Sequence, residues 1–347
     1  MPSYKNTERN TWYCAFYFTD WQGKRKKKKK EGFQTKREAQ DWERKFLEQF
    51  AGTPDISFEV LLAEYKKKQQ AKNDLRTYYN ECNMIKNHVE PYFTGITIDK
   101  ITKQSVLAWK EKLAQKNYSA SYSKRLYNIL KYILDFAVEN YNLPSNPCPS
   151  KQSFGKINKM MNFWTIDEFR TFMAAIDKPK YIMAFYMLFW TGMRSGEMLG
   201  LNWSDVDFDS NAVTIDKSYY RLLKKDYYTD GKTDSSQRVV ILPQFLADML
   251  KDYHSMSLYC DDRIFDYPKS ALNSQFKRAI KKTGVKPIRL HDLRHSHASL
   301  LINSGAEPIA VADRLGHSDA SITLKVYSHF YDKKRTTLAD KLNTILE

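Results

Sequence analysis

Three prolines within six residues divide this chain more firmly than any other feature: Pro144, Pro147 and Pro149, in Leu143-Pro144-Ser145-Asn146-Pro147-Cys148-Pro149-Ser150. Proline has no backbone N–H and its ring collides with the preceding turn, so a helix cannot run through such a stretch. A domain boundary is expected there. A second break, Ala51-Gly52-Thr53-Pro54-Asp55, reads as a linker. At roughly 100–200 residues per domain, a chain of 347 residues has room for two or three. The two breaks divide it into segments 1–55, 56–145 and 160–347.

The periodicity of each segment predicts its architecture. In the first, Trp12-Tyr13-Cys14-Ala15-Phe16-Tyr17-Phe18 is aromatic and extended, as a strand is. A turn is expected around Asp20 to Gly23, then a basic run from Lys24 to Lys30. Thr35 and Glu38 stand in capping-box register at the start of a helix that continues through Ala39, Trp42, Phe46 and Leu47. A small β-sheet plus one helix accounts for this module. In the second segment, four apolar stripes recur at helical spacing: Phe58, Leu61, Leu62 and Tyr65; Leu75, Tyr78, Tyr79, Cys82 and Val89; Val106, Trp109 and Leu113; and Tyr122, Leu126, Ile129, Leu130, Ile133 and Ala137. They predict an all-α bundle. The third segment opens with another capping-box pair, Thr165 and Glu168, and mixes helices with strands at Ala212–Ile215 and Val239–Leu242, an α+β but mainly helical arrangement. The apolar run Tyr181 to Trp190 is half the length of a membrane span and is read as a buried core helix.

Charge narrows the possible partners. Lys and Arg total 56 against 40 Asp and Glu, a net charge of +16. Such an excess suits a polyanion, and charge alone leaves nucleic acid and anionic membrane both open. No stretch of about 20 apolar residues and no apolar leader is present, so a cytoplasmic protein without membrane association is expected. The four cysteines, Cys14, Cys82, Cys148 and Cys260, are widely spaced and form no CxxC pair. Free thiols are expected, with neither a disulfide framework nor a metal cluster. The lysines Lys26, Lys27, Lys28, Lys29 and Lys30, beside an aromatic sheet, are expected to neutralise DNA phosphates. Lys124 and Arg125, on the fourth stripe's helix, are expected to face DNA as well.

Five pieces of the last segment carry chemistry: Thr191-Gly192-Met193-Arg194-Ser195-Gly196-Glu197, Asp230-Gly231-Lys232-Thr233-Asp234, His291-Asp292-Leu293-Arg294-His295-Ser296-His297, Leu315-Gly316-His317-Ser318, and Tyr327-Ser328-His329. Five of the chain's seven histidines fall between residues 291 and 329. His291 and His295, four apart, have zinc-ligand spacing, but Asp292-Leu293-Arg294 stands where HExxH carries its glutamate. The other reading is anion binding, with Arg294 one turn from His291 on the same helix face.

Taken in order, Arg194, Lys232, His291 with Arg294, His317 after Gly316, and Tyr327 resemble the tyrosine recombinase and phage-integrase family, whose pattern is Arg, Lys, His-x-x-Arg, Gly-His, Tyr. The resemblance implies an arm-type DNA-binding domain over 1–55, a helical SAM-like core-binding domain over 56–145 and a catalytic domain over 160–347. It also implies a site-specific integrase working on double-stranded DNA through a 3′-phosphotyrosyl bond at Tyr327, with no cofactor, metal or ATP. Arginine presents a planar fork that fits two phosphate oxygens, which suits Arg194 and Arg294. His317 would donate a further hydrogen bond, His291 accept the tyrosine proton, and Lys232 protonate the leaving oxygen. Tyr331, four residues on from Tyr327, is read as a packing residue. Leu338, Leu342, Ile345 and Leu346 predict a short amphipathic tail, which in the family docks on a neighbouring protomer of a tetramer. Accessory DNA-bending or excision factors are further expected partners. The alternatives weighed are a catalytically silent DNA-binding regulator, a metal-dependent nuclease and a relaxing topoisomerase.

Overall fold

The computed structural model describes residues 3–6, 11–19, 25–50, 56–155, 162–230, 237–256 and 262–317. The chain divides into two compact units, Met1–Asn158 and Lys159–Glu347.

The first unit begins with an antiparallel sheet of β1 (Ser3–Asn6), β2 (Thr11–Thr19) and β3 (Arg25–Phe33), in that order, and the helix α1 (Lys36–Phe50). Cys14, Phe16 and Ala39 are buried between sheet and helix, ringed by Trp12, Phe18, Phe33, Trp42 and Phe46. The Thr35–Glu38 capping box forms: the Glu38 N–H donates to Thr35 Oγ1 at 3.2 Å, and the Thr35 N–H to Glu38 Oε2 at 3.4 Å. Gly32, at φ +93, takes up a bulge where the β2–β3 register slips between Trp12 and Tyr13.

The helices α2 (Phe58–Lys72), α3 (Leu75–His88), the one-turn α4 (Glu90–Phe93), α5 (Lys103–Ala114) and α6 (Ala120–Asn140) follow. Asp74, Thr102 and Ser119 cap α3, α5 and α6 through their side chains. The expected stripes of α2 and α5 are buried, as is that of α6 apart from half-buried Tyr122. The stripe of α3 is buried only toward its C-terminal end: Val89 is buried, Tyr78, Tyr79 and Cys82 are half-buried and Leu75 is 45% exposed, while Met84 and Ile85 are buried as well. The helix packs by its C-terminal half, so the leucine directly after the Asp74 cap projects into solvent. The proline-rich stretch folds back on α6: Leu143 and Cys148 are buried in the same core, Tyr127 donates to Pro149 O at 2.7 Å, and Asn146 to Lys131 O at 2.9 Å.

The second unit comprises α7 (Ile166–Met173), α8 (Pro179–Thr191), α9 (Ser195–Leu199), β4 (Val206–Asp207), β5 (Ala212–Ile215), β6 (Lys217–Leu222), β7 (Lys225–Asp230), β8 (Arg238–Ile241), α10 (Gln244–Met256), α11 (Lys269–Thr283), α12 (Asp292–Asn303) and α13 (Pro308–Leu315). The apolar helix α8 runs through the core, where Phe185 and Phe189 meet Phe169, Phe172 and Phe276. The two expected strands, β5 and β8, pair antiparallel with Val213 opposite Val240, and β4 adds to β5. Between them stands a hairpin, β6–β7, that the sequence reading did not resolve. Its turn residues, Leu223 and Lys224, both have positive φ, a conformation that glycine and asparagine normally supply. The cross-strand tyrosine pairs Tyr219–Tyr228 and Tyr220–Tyr227 hold the hairpin instead.

Candidate active site and nucleic-acid interface

Helix α8 ends at Gly192 in the left-handed conformation, φ +68. A Cβ there would lie 2.6 Å from both His297 Cδ2 and Leu315 Cδ2, so the glycine lets the end of α8 meet α12 and α13. Two residues on, Arg194 caps α9. Its Nη1 donates to Glu197 Oε1 at 2.6 Å, its backbone N–H to Glu197 Oε2 at 2.8 Å, and its Nη2 reaches Gly316 O at 3.5 Å. Arg294, on the first turn of α12, is 3% exposed and donates to Gly192 O at 2.9 Å and Leu315 O at 2.6 Å. Arg238, at the start of β8, donates from Nε to Arg314 O at 3.0 Å and from Nη2 to Glu197 Oε2 at 2.8 Å.

Three successive carbonyls at the end of α13, those of Arg314, Leu315 and Gly316, thus receive three arginines from three different elements. The last carbonyls of a helix have no partner within it and carry the negative end of its dipole, so they fix guanidinium groups in place. Glu197 is buried among these charges. Burial acts to raise its pKa, but Arg238 and Arg194 outweigh it and hold the carboxyl below its usual range. Among the described residues, Glu197 is the carboxylate hydrogen-bonded within this group of Arg194, Arg238, Arg294 and Arg314, an arrangement suited to an anion.

The histidines gather on the same ground. His291 precedes α12 and its ring meets that of His295 edge-on, centroids 5.4 Å apart. Crowding by protein, and then His295, Arg294 and Arg194, push the His291 pKa down to about 4. His317, just past Gly316, is likewise depressed to about 4 by burial, Arg294 and Arg194. Both rings are therefore neutral near pH 7 and within the field of the same two arginines. Among the described residues, no three His, Cys, Asp or Glu side chains converge as a metal-ligand set. The structure thus brings Arg194, His291, Arg294 and His317 together; Lys232 and Tyr327 lie outside the described residues, as do Tyr331 and the tail from Leu338 to Leu346.

The supporting roles of several residues were not read from the sequence. Glu197 stands three residues after Arg194, a capping position, and that spacing was its one available signal. Arg238 and Arg314 had none, and His297 was visible only as a member of the histidine cluster. His297, 2% exposed, donates from Nδ1 to Phe189 O at 3.0 Å and accepts from Arg314 Nε at 3.2 Å. Asp292 accepts from the Arg289 guanidinium at 2.7 Å and fixes the start of α12.

In the first unit, the β2–β3 register sorts the basic run into two sets. Lys26, Lys28 and Lys30 lie opposite Phe18, Phe16 and Cys14, on the face covered by α1. Lys28 extends over Phe46 and Lys30 over Trp42, their stems covering the small core. Lys27 and Lys29 lie opposite Tyr17 and Ala15 on the open face, beside Arg25, Tyr13 and Tyr17. Lys124 and Arg125 are exposed on the second turn of α6.

Comparison with known proteins agrees with this layout. The profile of the phage integrase family matches residues 162–334, an arm DNA-binding domain matches 2–50, and the N-terminal SAM-like domain of phage integrases matches 57–114. The ICEBs1 integrase of Bacillus subtilis (strain 168) is 30% identical over 338 residues, covering 90% of this chain and 91% of the relative. Among solved structures, the Tn1549 transposon integrase in complex with a circular intermediate DNA superposes with a TM-score of 0.71 at 19% identity, covering 82% of this chain and 99% of that one. A lambda integrase tetramer bound to a Holliday junction superposes with a TM-score of 0.61 at 16% identity, covering 92% and 97%.

Proposed function

This chain belongs to the phage integrase family, and on that premise we propose that it cuts and rejoins DNA at specific sites through a covalent bond between Tyr327 and a DNA 3′-phosphate. The observation that carries the proposal is the convergence of Arg194, Arg294, His291 and His317, drawn from three distant stretches of sequence, around the end of α13.

Arg194 and Arg294 grip the non-bridging oxygens of the scissile phosphate, with guanidiniums already oriented by carbonyls and Glu197. Preorganised donors of this kind each contribute about 100- to 1,000-fold in rate. The Tyr327 hydroxyl attacks phosphorus. Its proton passes to His291, which is neutral and able to take it. The P–O5′ bond breaks, and the leaving oxygen takes a proton from Lys232. A 5′-hydroxyl from the partner strand reverses the sequence, so the bond energy is kept in the phosphotyrosine and no ATP is consumed. The relatives' names, ICEBs1 integrase and Tn1549 transposon integrase, support mobile-element junction DNA as the substrate. The lambda integrase tetramer on a Holliday junction supports a homotetramer as the working assembly. No described helix is long and apolar enough to cross a membrane.

The test is a nicked suicide substrate carrying the core site. Wild-type protein should form a complex that survives denaturing electrophoresis, in excess EDTA as well as without it. Tyr327→Phe should bind the same DNA and form none. Trapping that persists in Tyr327→Phe and vanishes in Tyr331→Phe shows that the nucleophile is misassigned. Binding without trapping by the wild type points to a silent regulator.

A further inference from the structure

Arg238 is buried, charged and outside the set of residues the proposed chemistry uses, six positions after Lys232 and more than forty from Arg194, His291, Arg294, His317 and Tyr327. Its side chain is 8% exposed. Desolvating a guanidinium is costly unless the group is fully engaged, so its partners show what it is there for. Among the described residues these include Glu197, the carboxylate that grips Arg194 through both its backbone and its side chain. They also include the carbonyl of Arg314 in the last turn of α13. The next two carbonyls of that turn take Arg294 and Arg194, and His317 follows directly. Arg238 therefore bridges α9, which carries one phosphate-gripping arginine, to α13, whose end orients the other and presents a histidine.

The far side of the bridge is anchored as well. The Arg314 side chain donates to His297 Nε2 at 3.2 Å and to Ile241 O, on β8 itself, at 3.1 Å. The end of α13 is thus tied to α12 and to β8. Glu197 sits on a five-residue helix, too short to hold its own orientation. Its backing is the close approach of Gly196 and Gly200 to β6 on one side and Arg238 on the other. Without Arg238, Glu197 would keep Arg194 as its only guanidinium partner among the described residues, and the long 3.5 Å contact of Arg194 Nη2 with Gly316 O would be left to tie the pair to α13.

We propose that Arg238 is a positioning residue for Arg194: by tying Glu197 to the last turn of α13, it holds the Arg194 guanidinium beside His317. The role rests on the recombinase reading, because Arg194 is taken there as a phosphate ligand. A misplacement of about 1 Å in such a group costs about 100-fold in rate. Arg238→Met should therefore slow covalent complex formation on the suicide substrate by about 100-fold, with affinity for the same DNA unchanged. Arg238→Lys, whose single ammonium reaches one acceptor rather than two, should lose about tenfold, and it carries the same tests if the methionine variant does not fold. Residues that act as one unit are not additive, so Arg194→Ala with Arg238→Met should be no slower than Arg194→Ala alone. Losses that multiply in the double variant, or a wild-type rate in Arg238→Met, overturn the proposal. A second readout does not depend on cleavage. In nitrogen-15 NMR of the full chain, the Arg194 Nε–H signal should broaden in the Arg238 variants while that of Arg294 stays. An unchanged Arg194 signal overturns the brace. If the wild type itself forms no covalent complex, the recombinase reading fails, and the Arg194 signal alone decides the positioning role.

Discussion

A histidine that must stay neutral makes a fold sensitive to acid. His297 spends its Nδ1–H on Phe189 O and its Nε2 lone pair on Arg314, so it has no site left for a second proton. Burial, and then Arg314, depress its pKa from 6.5 to about 3. The unfolded chain takes up a proton below pH 6.5 and the folded chain does not. Stability from this group is therefore complete above pH 6.5 and is lost as the pH falls toward 3. Between pH 7 and pH 5 the loss is about 2 kcal/mol. Protection of the α12 amides against hydrogen exchange, corrected for intrinsic rates, should fall accordingly. His297→Gln removes the titration, so that variant should begin less stable at pH 7 and lose less on acidification. An equal loss in both proteins refutes the assignment. The histidine cluster was legible as a cluster, but the sequence did not separate His297, which is bonded to Phe189 O and Arg314, from His291 and His317, to which the proposed chemistry gives roles at the phosphate. The difference is one of direction: the ring of His297 turns inward to α8, and only the packing of α12 on α8 decides that.

The strand β3 shows what periodicity yields and where it stops. Alternation puts successive side chains on opposite faces, so a run of lysines supplies both faces with the same residue and does not reveal which is covered. The pairing with β2 settles it, because Phe16 and Cys14 face α1. We expect Lys27→Ala with Lys29→Ala to weaken binding to accessory-site DNA and to lower the slope of log affinity against log salt by about 2, at about 0.9 per phosphate released. Lys28→Ala with Lys30→Ala should leave more of that slope intact and lower the melting temperature instead, because those stems cover Phe46 and Trp42. The reverse ranking shows that the helix-covered side meets the DNA. Helix α3 makes a related point. Its expected stripe runs from Leu75 to Val89, but only the C-terminal end of that stripe is buried, so Val89 enters the core beside Ile85 and Leu75 does not.

At the scale of the whole molecule, the arm module has a sheet, a helix and a small core of its own, and the separately recognised arm profile ends at residue 50. We propose that a chain lacking residues 1–55 still binds and nicks core-site DNA, and that it fails in recombination that depends on distant accessory sites. Gel-shift and suicide-substrate assays on the truncated protein test both halves of that statement. Loss of core-site nicking in a folded truncated protein overturns the division of labour.

The sequence by itself determined the order of domains, the helix starts and the residue series on which the proposed chemistry rests. Those depend on local rules: capping boxes at Thr35 and Thr165, the prolines from Pro144 to Pro149, helical spacing in α2, α5 and α6, and an Arg, Lys, His-x-x-Arg, His, Tyr series that needs no structure to be seen. The tertiary structure alone decided what holds the arginines in place. Arg238 and Arg314 look like ordinary basic residues in the chain, 76 positions apart, and neither belongs to a motif. They become a brace because α9, β8 and α13 pack so that the open carbonyl end of one helix points at guanidiniums from the others. Burying those charges is tolerable only with every carbonyl and carboxylate supplied at once, and no local pattern encodes a condition that three separate elements must meet together.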